Sequence, residues 1–173
     1  MYMRGLYIGR FQPFHLGHLE VVRTIMEKVD ELIIVIGSAQ YSHTHRNPFT
    51  AGERYEMIRS TLIEEGISCS RFMIVTVEDI NKHPLWVAHV RSMVPTFDIV
   101  FTNEPLNARL FEEAGCKVEG VPLFSRAMYS STRVREECIT SQEWSSLVPS
   151  AVAEVIKRID GVTRLCQIHS SDS

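Results

Sequence analysis

The run Gly9-Arg10-Phe11-Gln12-Pro13-Phe14-His15-Leu16-Gly17-His18 joins the short apolar segment Gly5-Leu6-Tyr7-Ile8 to one in which Leu19, Val22, Ile25, Met26 and Val29 recur at helical spacing. The first segment has the look of a buried strand of a parallel sheet, and the second of a helix with one apolar face. The chain therefore turns from strand to helix through the ten residues between them. A helix start offers unpaired N–H groups and the positive end of its dipole, and Gly17 has no side chain to keep a phosphate from the backbone. His15 and His18, three apart, fall on one face of the first turn, and Arg10 adds a permanent forked cation. The alternatives are a plain strand-loop-helix turn, a surface histidine pair, or half of a metal site. A zinc site is the weakest of these, because no Cys-x-x-Cys or Cys/His cluster completes a tetrahedral set.

The four residues His15-Leu16-Gly17-His18 after a strand resemble the His-x-Gly-His signature of the nucleotidyltransferase superfamily. The longer run from Gly9 is similar to that of the archaeal nicotinamide-nucleotide adenylyltransferases. A second match follows in the right order: Gly37-Ser38-Ala39-Gln40, then Arg46-Asn47-Pro48-Phe49-Thr50-Ala51-Gly52-Glu53-Arg54. The resemblance runs from residue 3 to about 160.

Outward from the opening run, Leu32-Ile33-Ile34-Val35-Ile36 reads as a second buried parallel strand, ending at Gly37-Ser38. Strand, helix and strand make a right-handed crossover, and ligands in such sheets gather outside the carboxyl ends of the strands, where Gly9-Arg10 and Gly37-Ser38 both fall. Residues 39–49 are polar and without period, a loop in which Arg46 is the strongest anion-binding candidate. Thr50 and Glu53 form a capping box that opens a helix expected to turn Tyr55, Ile58, Leu62 and Ile63 inward. Arg71 to Glu78 reads as a third strand, Pro84 as the start of a helix carrying Trp86, Val87, Val90 and Met93, and Phe97–Phe101 as a fourth strand. A helix from Glu104 to Ala114 closes at Gly115, and Cys116 to Leu123 passes as a fifth strand. Tyr129-Ser130-Ser131-Thr132-Arg133-Val134-Arg135 is an ordinary hydroxyl cap or a second phosphate cradle. Pro149 opens a last amphipathic helix that Gly161 is expected to end, with 169–173 a frayed tail.

The expected fold is α/β, a Rossmann-like doubly wound parallel sheet in a single domain over residues 1–168. A length of 173 residues with 45% hydrophobic and 23% charged content fits one soluble domain. A net charge of −3 argues against general nucleic-acid binding, so an anion site must be local. Four scattered cysteines read as reduced thiols, no signal peptide precedes the first strand, and the longest aliphatic run is too short for a bilayer. Together these place the protein in the cytoplasm, away from membranes.

The resemblance implies adenylyl transfer from ATP to the 5′-phosphate of nicotinamide mononucleotide, with Mg2+ delivered on the ATP. It implies an ATP site of Gly9, Arg10, Phe11, His15, Gly17, His18, Ser130, Thr132 and Arg135. Within that set, Arg10, His15, His18 and Arg135 carry catalysis. It implies an acceptor site of Gly37, Ser38, Arg46, Asp79, His83 and Trp86, with the Trp86 ring against the pyridine. It also implies a homo-oligomer, in relatives often a hexamer. Three departures stand out: His83 where the relatives have asparagine, Ser131 where they have glycine, and Thr102-Asn103-Glu104-Pro105 where they have Ser-Gly-Asn-Pro. Two other activities fit the same residues. A sister nucleotidyltransferase with a flavin or pantetheine phosphate as acceptor would not need Trp86, and a non-catalytic nucleotide sensor would lack transition-state contacts.

Overall fold

In a computed structural model that describes residues 1–171, five parallel strands lie in the order β3-β2-β1-β4-β5. They are β1 (Arg4–Gly9), β2 (Glu31–Ile36), β3 (Phe72–Thr76), β4 (Ile99–Phe101) and β5 (Lys117–Glu119). The order reverses direction beside β1, because the chain builds outward to β3 and then returns to lay β4 against β1's free edge. Register follows the two-residue period of the strands. Leu6 pairs with Ile33 and with Val100, and all three point to one face, where Val87, Val90 and Phe111 cover them. Tyr7, Ile34, Ile36 and Phe101 point to the other face and form the larger core with Val22, Ile25, Leu62, Val152 and Ile156.

Helices α1 (Leu16–Met26), α2 (Ala51–Glu64), α5 (Ser131–Thr140), α6 (Ser150–Arg158) and α7 (Gly161–Ser171) supply that larger face, and α3 (Trp86–Met93) and α4 (Pro105–Glu113) the smaller one. The sheet is thus doubly wound, as the sequence predicts. Among the described residues no helix is long and apolar enough to cross a membrane.

Four local expectations are corrected. The buried stripe of α2 is Arg54, Met57, Ile58, Thr61 and Leu62, while Tyr55 and Ile63 are exposed. Reading arginine and threonine as solvent residues shifts the apparent apolar face by a fraction of a turn. Pro84 lies in a short 3-10 turn, His83–Leu85, and α3 proper starts at Trp86. The fifth strand is three residues long, because β4 stops at Phe101. Beyond that point the Asn103 side chain replaces a neighbouring strand, accepting from Val121 N at 2.9 Å and donating to Val121 O at 2.6 Å.

Gly161 does not end the molecule's last helix; it opens α7. Asp160 takes the left-handed turn at φ 53°, and glycine follows because a Cβ there would lie 3.1 Å from the Ile156 side chain and 3.2 Å from Phe49. Residues 169–171 of the expected frayed tail belong to this helix, and Asp172 and Ser173 lie outside the described residues.

Candidate active site

His15 is the N-cap of α1 and His18 its third residue, and the two rings cap each other's backbone. His18 N–H donates to His15 Nδ1 at 3.3 Å, and His15 N–H donates to His18 Nδ1 at 3.2 Å. Nδ1 can accept only when it carries no proton, so each neutral imidazole keeps its proton on Nε2. The rings stack with centroids 3.6 Å apart, Phe14 also stacks on His18 with centroids 5.4 Å apart, and Phe11 meets His18 edge-on. Burial holds His15 neutral, pushed down to about 4. Burial, with His15 as a further cause, holds His18 well below the usual histidine range. The pair uses two of the four N–H groups that a helix start leaves free, those of His15 and His18. Gly17 matters for packing as much as for access. A Cβ there would come within 2.9 Å of the His15 ring and 3.1 Å of Tyr129.

The carboxyl ends of β1 and β2 carry backbone strain that other contacts must offset. Phe11 and Ser38, each two residues past its strand, adopt left-handed φ values of 52° and 49°. Phe11 folds its ring over Gly9, where a Cβ would lie 2.8 Å from the ring. Gln12 is buried and pairs with both backbone groups of Phe49, accepting from N–H at 2.9 Å and donating to the carbonyl at 3.0 Å.

Beneath these loops lies Arg54, which sequence reasoning passed over. It is fully buried and donates to four carbonyls: Thr50 and Ser38 at 3.2 Å, Arg10 and Gly37 at 2.8 Å. The lack of a carboxylate partner in this set is the unusual feature. Burial, then the nearby charge of Arg10, pulls its guanidinium down to about 10, still protonated at neutral pH.

Arg135, from α5, reaches across to the same place. Its Nη1 donates to Gln12 O at 2.9 Å and its Nη2 to Thr132 Oγ1 at 3.4 Å. Its Nε is buried without any hydrogen-bond partner among the described residues. Burial, then the charges of Arg10 and Arg46, lowers its affinity for the proton. Ser130 caps α5 through Arg133 N–H at 3.1 Å. Ser131 donates its hydroxyl to Pro13 O at 2.9 Å and ties the second cradle to the first.

Two adjoining cavities open at this sheet edge, sharing Ile8, Arg10 and Glu104. The larger, about 630 Å3, is walled by Phe11, His15, Gly17, His18, Ser130, Thr132 and Arg135, all expected at the ATP site. The smaller, about 430 Å3, is walled by Gly37, Ser38, Asp79, His83 and Trp86, expected at the acceptor site, and by Gly9, which the sequence grouped with ATP. Ser38 donates to the Asp79 carboxylate at 2.6 Å, and Gln40 brackets the Asp79 backbone at 2.8 and 3.0 Å. Arg46, exposed on the 39–49 loop, lines neither cavity, although its charge reaches Arg135 in the wall of the larger one. Asn107, unremarked in the sequence, accepts from the Trp86 indole N–H at 3.0 Å.

A parallel sheet in this order, with a His-x-Gly-His helix start facing a Ser-x-Thr-x-x-Arg helix start, defines a Rossmann-like nucleotidyltransferase. Residues 6–137 match the family described as Cytidylyltransferase-like. The chain is 51% identical over 174 residues to the nicotinamide-nucleotide adenylyltransferase of Archaeoglobus fulgidus, covering 98% of this chain and 99% of that one. It is 50% identical over 169 residues to the protein of the same name from Saccharolobus solfataricus, covering 98% of each. Among solved structures, a bifunctional NMN adenylyltransferase/ADP ribose pyrophosphatase from Francisella tularensis, complexed with AMP and a manganese ion, superposes with a TM-score of 0.84 at 24% identity. That likeness covers 99% of this chain and 54% of the longer neighbour, and it speaks for the fold. The chain belongs to the Cytidylyltransferase-like family and, within it, to the nicotinamide-nucleotide adenylyltransferase family.

Proposed function

We propose that the protein transfers the adenylyl group of ATP to the 5′-phosphate of nicotinamide mononucleotide, releasing pyrophosphate and forming NAD. The observation that carries this is the junction of the two cavities at Arg10. On one side stand the stacked histidines and the unpaired Arg135 Nε, and on the other a cavity walled by the Trp86 indole. A triphosphate in the larger cavity and a phosphorylated acceptor in the smaller would meet at the shared wall.

A phosphate oxygen of the acceptor attacks the α-phosphorus of ATP. The new P–O bond forms as the bond to the bridging oxygen breaks, and that oxygen leaves with pyrophosphate. With a second pKa of about 6, the attacking phosphate is largely dianionic at neutral pH and needs no general base. What remains is positioning and charge stabilisation. His18 donates from Nε2 to the α-phosphate, where charge develops. His15, Arg10 and Arg135 take the β- and γ-phosphates, and the Ser130 and Thr132 end of α5 closes the triphosphate from the opposite side. Arg46, on its exposed loop, is held for a substrate phosphate, and Trp86 offers a stacking face to the pyridine ring.

A divalent cation, Mg2+ in this proposal, would be held mostly by phosphate oxygens and water. The one carboxylate in the larger cavity's described wall is Glu104, and its oxygens already accept from Leu106 and Asn107 N–H. Bound there, the cation would neutralise charge on the departing pyrophosphate.

The test is pyrophosphate release with ATP, Mg2+ and a panel of acceptors: nicotinamide mononucleotide, nicotinate mononucleotide, flavin mononucleotide and pantetheine phosphate. Turnover with the pyridine nucleotides alone is expected. Turnover only with flavin or pantetheine phosphate would reassign the acceptor, and ATP binding without turnover on any of them would make the protein a sensor.

A further inference from the structure

The smaller cavity holds an amide group that the pyridine-acceptor reading does not yet use. An indole N–H can only donate, so the atom of Asn107 that it meets at 3.0 Å must be the amide oxygen. That fixes which way the amide is turned, and its NH2 group meets no protein acceptor among the described residues. Asn107 is half-buried and lines the cavity alongside Trp86 and His83. Its backbone is held firmly. Pro105 starts α4, and the Glu104 carboxylate caps it by accepting from Leu106 N–H at 3.1 Å and Asn107 N–H at 2.7 Å. Of the other polar walls, Ser38 gives its proton to Asp79, Glu104 accepts from the start of α4, and Asn81, Lys82 and His83 are exposed at the rim.

We propose that Asn107 is a specificity-determining residue of the acceptor cavity. Its Oδ1 fixes the orientation of the Trp86 indole, and its NH2 group donates to the exocyclic oxygen of a pyridine ring stacked there. This rests on the smaller cavity being the acceptor's. A donor in that place serves either a carboxamide oxygen or a carboxylate, so the parent accepts both acceptor forms.

Two variants at this helix surface test the idea, with thermal unfolding to confirm that each folds like the parent. Asn107→Asp keeps an oxygen for the indole but turns the donor into a negative charge. The carboxamide can rotate to present its own NH2 and the carboxylate cannot. The kcat/KM for nicotinate mononucleotide should therefore fall about tenfold or more relative to that for nicotinamide mononucleotide, with the KM for ATP unchanged. Asn107→Leu removes both contacts and should lower kcat/KM for the two acceptors by similar factors. An Asn107→Asp protein with the parent's preference, or an Asn107→Leu protein with the parent's kcat/KM, would overturn the proposal. A parent inactive with both pyridine acceptors would instead overturn the acceptor reading on which it rests.

Discussion

Burial holds His15 and His18 neutral, with His15 adding to the effect at His18, and this gives His15 a clear pH signature. For His15 the folded value of about 4 lies below the unfolded value of 6.5, so the unfolded chain binds the proton more readily. Its stabilising share is therefore complete above about pH 6.5 and is lost as pH falls toward 4, on the order of 3 kcal/mol. His15→Asn keeps a side-chain acceptor for the cap and removes the titration. The stability gap between parent and variant, from urea unfolding at pH 7 and pH 4, should close by roughly that amount, and parallel curves would refute it. At the same scale, His18→Ala should lower kcat by about 100-fold with little change in the KM for ATP, as removal of a donor to developing charge does. A raised KM at constant kcat would move His18 to ground-state binding. Both histidines were legible as a pair from their spacing; their mutual capping was not, because histidine is an unusual N-cap and its role depends on the rotamers of both rings.

The element that organises the site from below is α2. Its capping box reads directly from Thr50 and Glu53, and both reciprocal bonds form, at 3.1 and 2.9 Å. Its buried stripe does not read so directly, since it begins with Arg54. Four carbonyls from the ends of β1, β2 and the α2 cap converge on that guanidinium. Arg54→Met would leave them in an interior with no donor, at a cost of about 3 kcal/mol or more, measurable as a lower denaturant midpoint. A midpoint equal to the parent's would mean that water replaces the side chain freely. Helix α5 is tied to the first loop less heavily. Ser131→Gly deletes the bond to Pro13 O and should cost about 1 kcal/mol while leaving pyrophosphate release intact, because the hydroxyl is committed to that carbonyl rather than to a substrate. Loss of activity would make the Ser131 hydroxyl a direct participant in the chemistry.

Over the whole molecule, the last helix shows what closes the fold. Arg164 of α7 pairs with Glu53 through two contacts of 2.8 Å and donates to Pro48 O at 3.1 Å, while Leu165 is buried in the larger core. The C-terminus thus braces the start of α2 and the end of the 39–49 loop. Leu165→Ala should cost about 2–5 kcal/mol in stability, yet leave kcat unchanged at temperatures where the variant stays folded, since Leu165 lines neither cavity. A fall in kcat with the fold intact would reveal coupling between α7 and the site. The strand and helix periods, the glycine-bounded turns and the His-x-Gly-His run are local patterns, and through them the sequence by itself determined the doubly wound sheet and the sheet edge at which ligands gather. Tertiary structure decided the rest: the buried Arg54, the unpaired Nε of Arg135, the Trp86–Asn107 contact across 21 residues, the short fifth strand and the seventh helix. The reason is physical. Periodicity depends on neighbours along the chain, whereas the partner of a buried polar group is chosen by segments that meet only after the core has closed.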